Sequence, residues 1–329
     1  MLMMTNTVVV TFRMSEAKRE MLKGMLDKRA RLSFLPDIPS GLREQTLAEA
    51  SVLFAWLLPK ELIQSEFALL KKVQLIQLLS AGLNRVPFAD LYPSIIVAGN
   101  VGAYAEAMAE HIIAMTLALA KNLVREHHQL AQGKFNQSNL NRMLHGSICG
   151  ILGFGGIGRA TAHLMRGFGM KIYAVNTSGK TDEPVDFIGT MNDLKYVLAS
   201  SDVVVISMPL TKMTHNLIGK RELSWMKPDA MLINVARGDI INEEALYAHL
   251  TEHPSFLAGL DAWWIEPLHS GEFRTEYPFF SLANVLGSPH NSGTVPGCRD
   301  QAIRRAAENI NRLLTGAPLS GVAKRDDYL

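Results

Sequence analysis

The sequence predicts an α/β protein with two doubly wound parallel sheets, and three observations carry that expectation. Short apolar runs alternate with helical spacings along most of the chain, an order that puts helices on the faces of parallel strands. Residues 147–180, SICGILGFGGIGRATAHLMRGFGMKIYAVNTSGK, run strand, glycine turn, helix and strand within the about 30 residues of a dinucleotide-binding βαβ unit. Finally, 329 residues with 48% apolar and 19% charged side chains are enough for two domains, each with its own core, and unlike a largely disordered chain.

In the central unit, Ile148 to Leu152 is the first strand and Gly153, Gly155 and Gly158 form the turn. The first glycine permits a tight turn and the second lets backbone approach a pyrophosphate. The third allows close helix–strand packing. Ala160, Ala162, Leu164 and Met165 supply the apolar helical positions, Gly167 and Gly169 lie where the helix should stop, and Lys171 to Val175 is the second strand. Free N–H groups and the partial positive charge at the helix start suit an anion. A glycine turn alone also serves structural ends; the flanking strand and helix favour the cofactor reading.

Upstream, strands are expected at Val8 to Phe12, Arg31 to Leu35, Val52 to Trp56, Leu75 to Ser80 and Ile95 to Gly99, with helices over Ser15 to Leu26 and Lys60 to Leu70. This region has no glycine fingerprint of its own. Ala103 to Leu123 reads as one long helix, apolar or small on most faces, as in a helix buried between domains or subunits. The polar stretch Gly133 to Asn141 follows. Downstream, strands are expected at Val203 to Ser207, Met231 to Val235, Leu257 to Asp261 and Val285 to Gly287. Helical spacing covers Met191 to Ala199, Glu222 to Met226, Asn242 to Leu250 and Arg299 to Leu314.

A formal net charge of +2 without long single-sign runs argues against nucleic acid or an acidic membrane as the main partner. Cys149 and Cys298 have no metal-ligand spacing, no metal is expected, and Cys149 within a strand reads as a buried, inert thiol. The N-terminal MLMMTNTVVVTFRM lacks the basic start and long apolar core of a secretory signal. The apolar segment Ala103 to Ala120 contains Glu106, Glu110 and His111 and is too short and polar to span a bilayer. A cytoplasmic location is expected.

Three polar residues follow strand ends, where doubly wound sheets place ligands: Arg237 after INVA, Glu266 after LAGLDAWW and His290 after NVLGSP. Singly, Arg237 could cap a helix, Glu266 could be a solvated loop residue, and His290 could be a surface histidine like His127, His128 and His253. Together they suit transfer between a 2-hydroxy acid and a nicotinamide. Histidine can exchange the hydroxyl proton near neutral pH, a carboxylate stabilises its imidazolium form, and arginine grips a carboxylate with a planar fork.

The motifs LHGSICGILGFGGIGRA, SDVVVISMPLTKMTHNLIG, MKPDAMLINVARGDIINEEAL, LDAWWIEP and NVLGSPHNSG occur in order. In these the chain resembles the D-isomer-specific 2-hydroxyacid dehydrogenases over nearly its whole length, among them glyoxylate and hydroxypyruvate reductases. The resemblance implies a Rossmann domain, residues 100–287, inserted into a flavodoxin-like substrate domain of residues 1–99 and 288–329, with water excluded when the two close. It implies catalytic roles for Arg237, Glu266 and His290, and cofactor contacts from Gly156, Ile157, Met208, Pro209, Val235 and Asp261, the last at the nicotinamide end. SAGLNRV resembles the substrate loop, so the N–H groups of Ala81 and Gly82 would join Arg237 in holding the substrate carboxylate. The implied partner is a small 2-oxo or 2-hydroxy acid, and the implied assembly is a homodimer built on the long helix.

Two places depart from the pattern. Where relatives often carry an acidic residue for the ribose of NAD, this chain has Asn176, followed by Thr177, Ser178, Gly179 and Lys180. That favours NADP(H) over NAD(H) modestly, since no carboxylate repels a 2′-phosphate. The pair Trp263-Trp264 and the segment HSGEFRTEYPFF are bulkier than in many relatives, and either pocket shaping or packing would explain them. Glu266 stands where formate dehydrogenase has glutamine, which disfavours formate. A phosphite-oxidising enzyme with a similar triad, or a dinucleotide-sensing corepressor, are the competing readings; the disordered tails frequent in such corepressors are not seen.

Overall fold

The computed structural model describes residues 6–328. Residues 1–5, part of the stretch read above as lacking a secretory signal, lie outside the described residues. The chain forms two compact units, one of Met1–Tyr104 with Pro296–Leu329 and one of Ala105–Val295.

The first unit is built on five parallel strands, β1 (Asn6–Val10), β2 (Ala30–Phe34), β3 (Val52–Ala55), β4 (Leu75–Leu78) and β5 (Ile96–Ala98), in the order β2-β1-β3-β4-β5. This is the flavodoxin-like order. Successive side chains of a strand point to opposite faces, and the cores divide accordingly. Val8 and Val10 meet Leu22 of helix Glu16–Met25 and Ala302, Ile303 and Ile310 of helix Cys298–Thr315. Val9 meets Leu47 of helix Ser40–Ala48, which the sequence reading missed, and Phe67 and Leu70. The carboxy-terminal helix is tied to β4 by a buried pair, Asn309 Nδ2 donating to Gln77 Oε1 at 2.6 Å. The helix expected over Lys60 to Leu70 is instead a short turn, Leu58–Glu61, and a 3₁₀ run, Gln64–Lys72. Glu61 ends the short turn, and its carboxylate accepts the backbone N–H groups of Trp56 and Leu57.

The second unit has seven parallel strands, β6 (Ile148–Leu152), β7 (Lys171–Val175), β8 (Phe187–Gly189), β9 (Val203–Ile206), β10 (Met231–Asn234), β11 (Leu257–Leu260) and β12 (Val285–Gly287). Their order is β12-β11-β10-β9-β6-β7-β8, the Rossmann order with a seventh strand, and the direction of winding reverses beside β6. Strand β8 was not expected. Val203, Val205 and Ile233 face helices Ala105–Ala120 and Gly156–Gly167; Val204, Ile206 and Leu232 face the opposite core with Val197, Leu223 and Leu246.

The helix expected over Ala103 to Leu123 is found over Ala105–Ala120, and a second helix that was not expected follows it. Helix Ala105–Ala120 ends, Asn122 turns left-handed at φ +53°, and a second helix runs Leu123–Ala131. Lys121 Nζ and the Asn122 amide reach carbonyls of Arg142 and Leu140 instead of continuing the helix. The buried face of the first helix packs on its own unit's sheet, where Gly259 leaves room: a Cβ there would lie 2.8 Å from Ile233 and 3.4 Å from Leu119. Among the described residues no single helix is long and apolar enough to cross a membrane.

Candidate active site

The carboxyl end of β6 carries the glycine turn. Gly153 adopts φ +99°, and a Cβ there would lie 2.5 Å from the Met208 backbone nitrogen. Only glycine meets both conditions. Gly158 faces inward, where a Cβ would come 2.4 Å from Gly153 O. Gly155 faces the other way: a Cβ on it would meet no protein atom within 4 Å. Gly156 then opens a 12-residue helix whose first N–H groups face that same end. The space beside Gly155 and the helix start therefore fit a pyrophosphate, in shape and in sign. Met208 and Val235 are buried beneath this end of the sheet and Ile157 is half-buried against it. Ser207 Oγ fastens β9 to the turn by donating to Gly153 O at 2.8 Å.

The end of β7 is closed by Asn176. Its Oδ1 accepts from Ser178 N at 3.0 Å and Gly179 N at 2.7 Å, and its Nδ2 donates to Lys180 O at 2.8 Å. The side chain is thus spent on shaping the turn, which leaves Thr177, Ser178 and Lys180 exposed. Arg159, on the glycine-turn helix, pairs with Asp182 at 3.4 Å.

Arg237 follows β10. Asn234, buried at the strand end, donates to Arg237 O at 2.8 Å and accepts from Ala236 N at 3.0 Å, so it fixes the turn that carries the arginine. Gly238 has no room for a side chain, since a Cβ would sit 2.4 Å from the Trp263 carbonyl carbon. The absent side chain lets the Arg237 turn press against the backbone that leads to Glu266.

Glu266 and His290 meet directly: His290 Nδ1 lies 2.8 Å from each Glu266 carboxylate oxygen. Glu266 Oε1 also accepts the Trp263 N–H at 2.9 Å. Burial pushes the Glu266 carboxyl upward, but the hydrogen bond and charge of His290, the Trp263 N–H and the Arg237 charge outweigh it and hold the group below its ordinary range. An ionised carboxylate only accepts, so Nδ1 carries the proton and Nε2 is the ring nitrogen left to a substrate.

His290 sits at φ +50°, a conformation that costs a non-glycine residue roughly 1–2 kcal/mol. Its neighbours hold it there. Asp261, fully buried, accepts from Ser288 Oγ at 2.6 Å, Asn291 N at 3.1 Å and Ser292 N at 3.1 Å. Burial works to raise the Asp261 carboxyl, yet the donors from Ser288, Ser292 and Asn291 carry it below its usual value. His111, on helix Ala105–Ala120, completes the group at 2.9 Å from Ser288 Oγ. With no exposed surface, the carboxylate expected at the nicotinamide end is directed into the protein.

The family model for D-isomer specific 2-hydroxyacid dehydrogenase, NAD binding domain, matches residues 113–292. The chain belongs to this family. It is 34% identical over 212 residues to a glyoxylate reductase of Thermococcus gammatolerans, covering 62% of each chain. It is 35% identical over 196 residues to a hydroxypyruvate reductase of Thermotoga maritima, covering 59% of this chain and 62% of that one. These matches therefore span about three-fifths of the relatives' length. Among solved structures, a D-isomer specific 2-hydroxyacid dehydrogenase family protein of Aeromonas salmonicida superposes with TM-score 0.79 at 27% identity, over 98% of this chain and 100% of that one. A member from Xanthobacter autotrophicus in complex with NADPH and MES shares the fold, with TM-score 0.80 at 23% identity over 99% and 100% of the two chains. The second unit is accordingly a nicotinamide-dinucleotide-binding domain.

Several residues that shape the site were not singled out from sequence. Among them are Asn234, a polar residue ending an apolar strand, and Ser288, just past β12. His111 was read only as a reason against membrane insertion. The two tryptophans prove to be packed: Trp263 is 5% exposed, and each indole N–H is spent on a backbone carbonyl, Ser288 O and Ile241 O, both at 2.8 Å. Cys149 is fully buried, and burial pushes its thiol up to about 12, in keeping with an inert group.

Proposed function

We propose that the protein is a cytoplasmic NAD(P)H-dependent reductase of small 2-oxo acids, of the glyoxylate or hydroxypyruvate class. The observation that carries the reading is the pair of Glu266, ionised and half-buried, with His290, whose free nitrogen is Nε2. A bound nicotinamide dinucleotide would supply the hydride that adds to C2 of the substrate. His290 Nε2–H gives its proton to the carbonyl oxygen as that oxygen gains charge, and Glu266 stabilises the imidazolium beforehand through Nδ1–H. In the reverse direction the same nitrogen takes the hydroxyl proton. Arg237 grips the substrate carboxylate and draws charge toward the carbonyl oxygen, a task that suits its planar fork better than a lysine. In the first unit, the N–H groups of Ala81 and Gly82 are the proposed carboxylate donors. Gly99 keeps that turn close, since a Cβ on it would lie 2.6 Å from Ala81 O.

The cofactor would lie with its pyrophosphate at Gly155, Gly156 and Ile157, and Met208, Pro209 and Val235 would line its path. We assign Asp261 to that end through the loop it holds. NADP(H) is favoured over NAD(H): Asn176 brings no negative charge, and its turn presents Ser178 and Lys180 outward. A homodimer is proposed on the long-helix segment expected over Ala103 to Leu123, at whose end Leu123 is exposed.

The test is oxidation of NADPH and NADH with glyoxylate and with hydroxypyruvate, in the wild type and in Arg237→Ala. Turnover with either acid, lost in the variant while the dinucleotide still binds, is expected. Retained turnover in Arg237→Ala would remove the arginine from the chemistry, and an NADH preference would void the cofactor assignment alone.

A further inference from the structure

The acid–base pair is assembled from two separate segments, and one residue touches both. Glu266 lies beyond β11, His290 beyond β12, and the His290 backbone is in a left-handed conformation on an exposed loop. Such a conformation persists only where surroundings over-determine it. Trp263 donates its backbone N–H to Glu266 Oε1 at 2.9 Å and its indole N–H to Ser288 O at 2.8 Å. Ser288 is the residue whose hydroxyl is already held by Asp261. It is therefore gripped on its side chain by the exit of β11 and on its carbonyl by the indole.

The indole can act as a rigid strut because its own position is fixed. Phe280 lies 5.1 Å away and Phe273 5.5 Å away, ring centre to ring centre, the latter edge-on. Gly287, at the end of β12, makes the space it occupies: a Cβ there would be 2.7 Å from Trp263 Cζ2. A phenylalanine in the same place would keep the aromatic packing and lose the donor. Trp264 provides a natural comparison. It stacks on Phe279 at 5.3 Å, and its indole N–H goes to Ile241 O, a group that carries neither partner.

We propose that Trp263 is a positioning residue, whose two N–H groups set the separation of Glu266 and His290. The proposal rests on the reading of that pair as the proton-transfer couple. It gives the bulky Trp263 a role that packing alone does not require, since packing needs no N–H.

The test compares Trp263→Phe with Trp264→Phe by two readouts. The first is steady-state reduction of glyoxylate or hydroxypyruvate across pH. A missing hydrogen bond to the loop is expected to lower kcat about five- to tenfold in Trp263→Phe. It should also change the shape of the pH profile while leaving the KM for dinucleotide within about twofold. Trp264→Phe should leave both unchanged. The second readout needs no substrate: the 15N shifts of the His290 imidazole, which report whether Nδ1 alone carries the proton. A single tautomer in the wild type and in Trp264→Phe, with mixed tautomers in Trp263→Phe, is expected. Equal behaviour of the two variants in the imidazole spectrum would overturn the proposal. If the wild type turns over none of the acids, the functional reading fails while the imidazole spectra still decide the positioning role. Should Trp263→Phe not fold, benzothienylalanine at position 263 keeps the indole shape, lacks only the N–H, and is read the same way.

Discussion

The two ends of the dinucleotide-binding unit are shaped by opposite means. At the carboxyl end of β6, form comes from missing side chains: Gly153, Gly155 and Gly158 permit contacts that any Cβ would forbid or fill. At the ends of β11 and β12, form comes from side chains that are fully engaged, with Asp261, Ser288 and Trp263 holding a loop whose histidine would not adopt its conformation unaided. A steric constraint fails at once when it is breached, because backbone cannot move aside. A hydrogen-bonded constraint loosens in steps, each worth about 1–3 kcal/mol. Substitutions at the two ends should therefore differ in kind as well as in size.

The largest effect is expected at Gly153. A valine there would have to accept φ +99° and a contact of 2.5 Å with the Met208 backbone. We expect Gly153→Val to destabilise the protein by roughly 2–4 kcal/mol and to abolish dinucleotide binding. Thermal melting and fluorescence titration with NADPH check this, and a folded, cofactor-binding variant would show that the turn is not sterically fixed.

Asp261→Asn comes next. The amide keeps one acceptor oxygen but turns an N–H₂ toward donors that now lack a partner, at a cost of roughly 1.5–3 kcal/mol. Because the damage is local to the loop of Ser288, Asn291 and Ser292, turnover should fall far more than dinucleotide affinity. A variant that loses cofactor affinity and keeps its kcat would instead point to direct contact between Asp261 and the cofactor. Gly155→Ala should be milder and opposite in character. With no protein atom within 4 Å of the new Cβ, the melting temperature should stay unchanged while dinucleotide affinity falls about tenfold. A shift in melting without a change in affinity would mean that the open side of this glycine is not the anion's.

The same contrast explains what could be read from the sequence. Glycines with a geometric duty are visible as letters in a strand–turn–helix context, so the β6 turn and its helix, Gly156–Gly167, were legible. So were the strands on either side of it. Asp261 and the pair Glu266 and His290 were legible, but the groups that hold them in place were not, because Trp263, Ser288 and His111 gain their roles only when distant segments meet. Asn176 was read as a determinant of cofactor choice through its missing charge, and its side chain turns out to be consumed in its own turn. The helix Leu123–Ala131 beyond Asn122 was missed, and tertiary partners at Leu140 and Arg142 fix where its predecessor ends.

The smallest effect is a matter of pH, and it separates the two ends most cleanly because no titratable group takes part in the glycine turn. Glu266 is held below its ordinary pKa in the folded protein, burial opposing and the His290, Trp263 and Arg237 interactions prevailing. In the unfolded chain the same carboxyl titrates near its ordinary value of 4.5. The unfolded state thus binds the proton first as pH falls, so the stability that Glu266 contributes is complete above about pH 4.5 and is lost as pH drops through its folded pKa. Glu266→Gln has no charge to lose and should lack this component. The difference in melting temperature between wild type and variant should therefore shrink as pH falls below about 4.5. Gly155→Ala, by contrast, should follow the wild-type curve at every pH. If the Glu266→Gln difference were flat down to pH 3, the carboxylate would not be stabilised by its neighbours, and the hydrogen-bonded account of this end of the site would lose its electrostatic half.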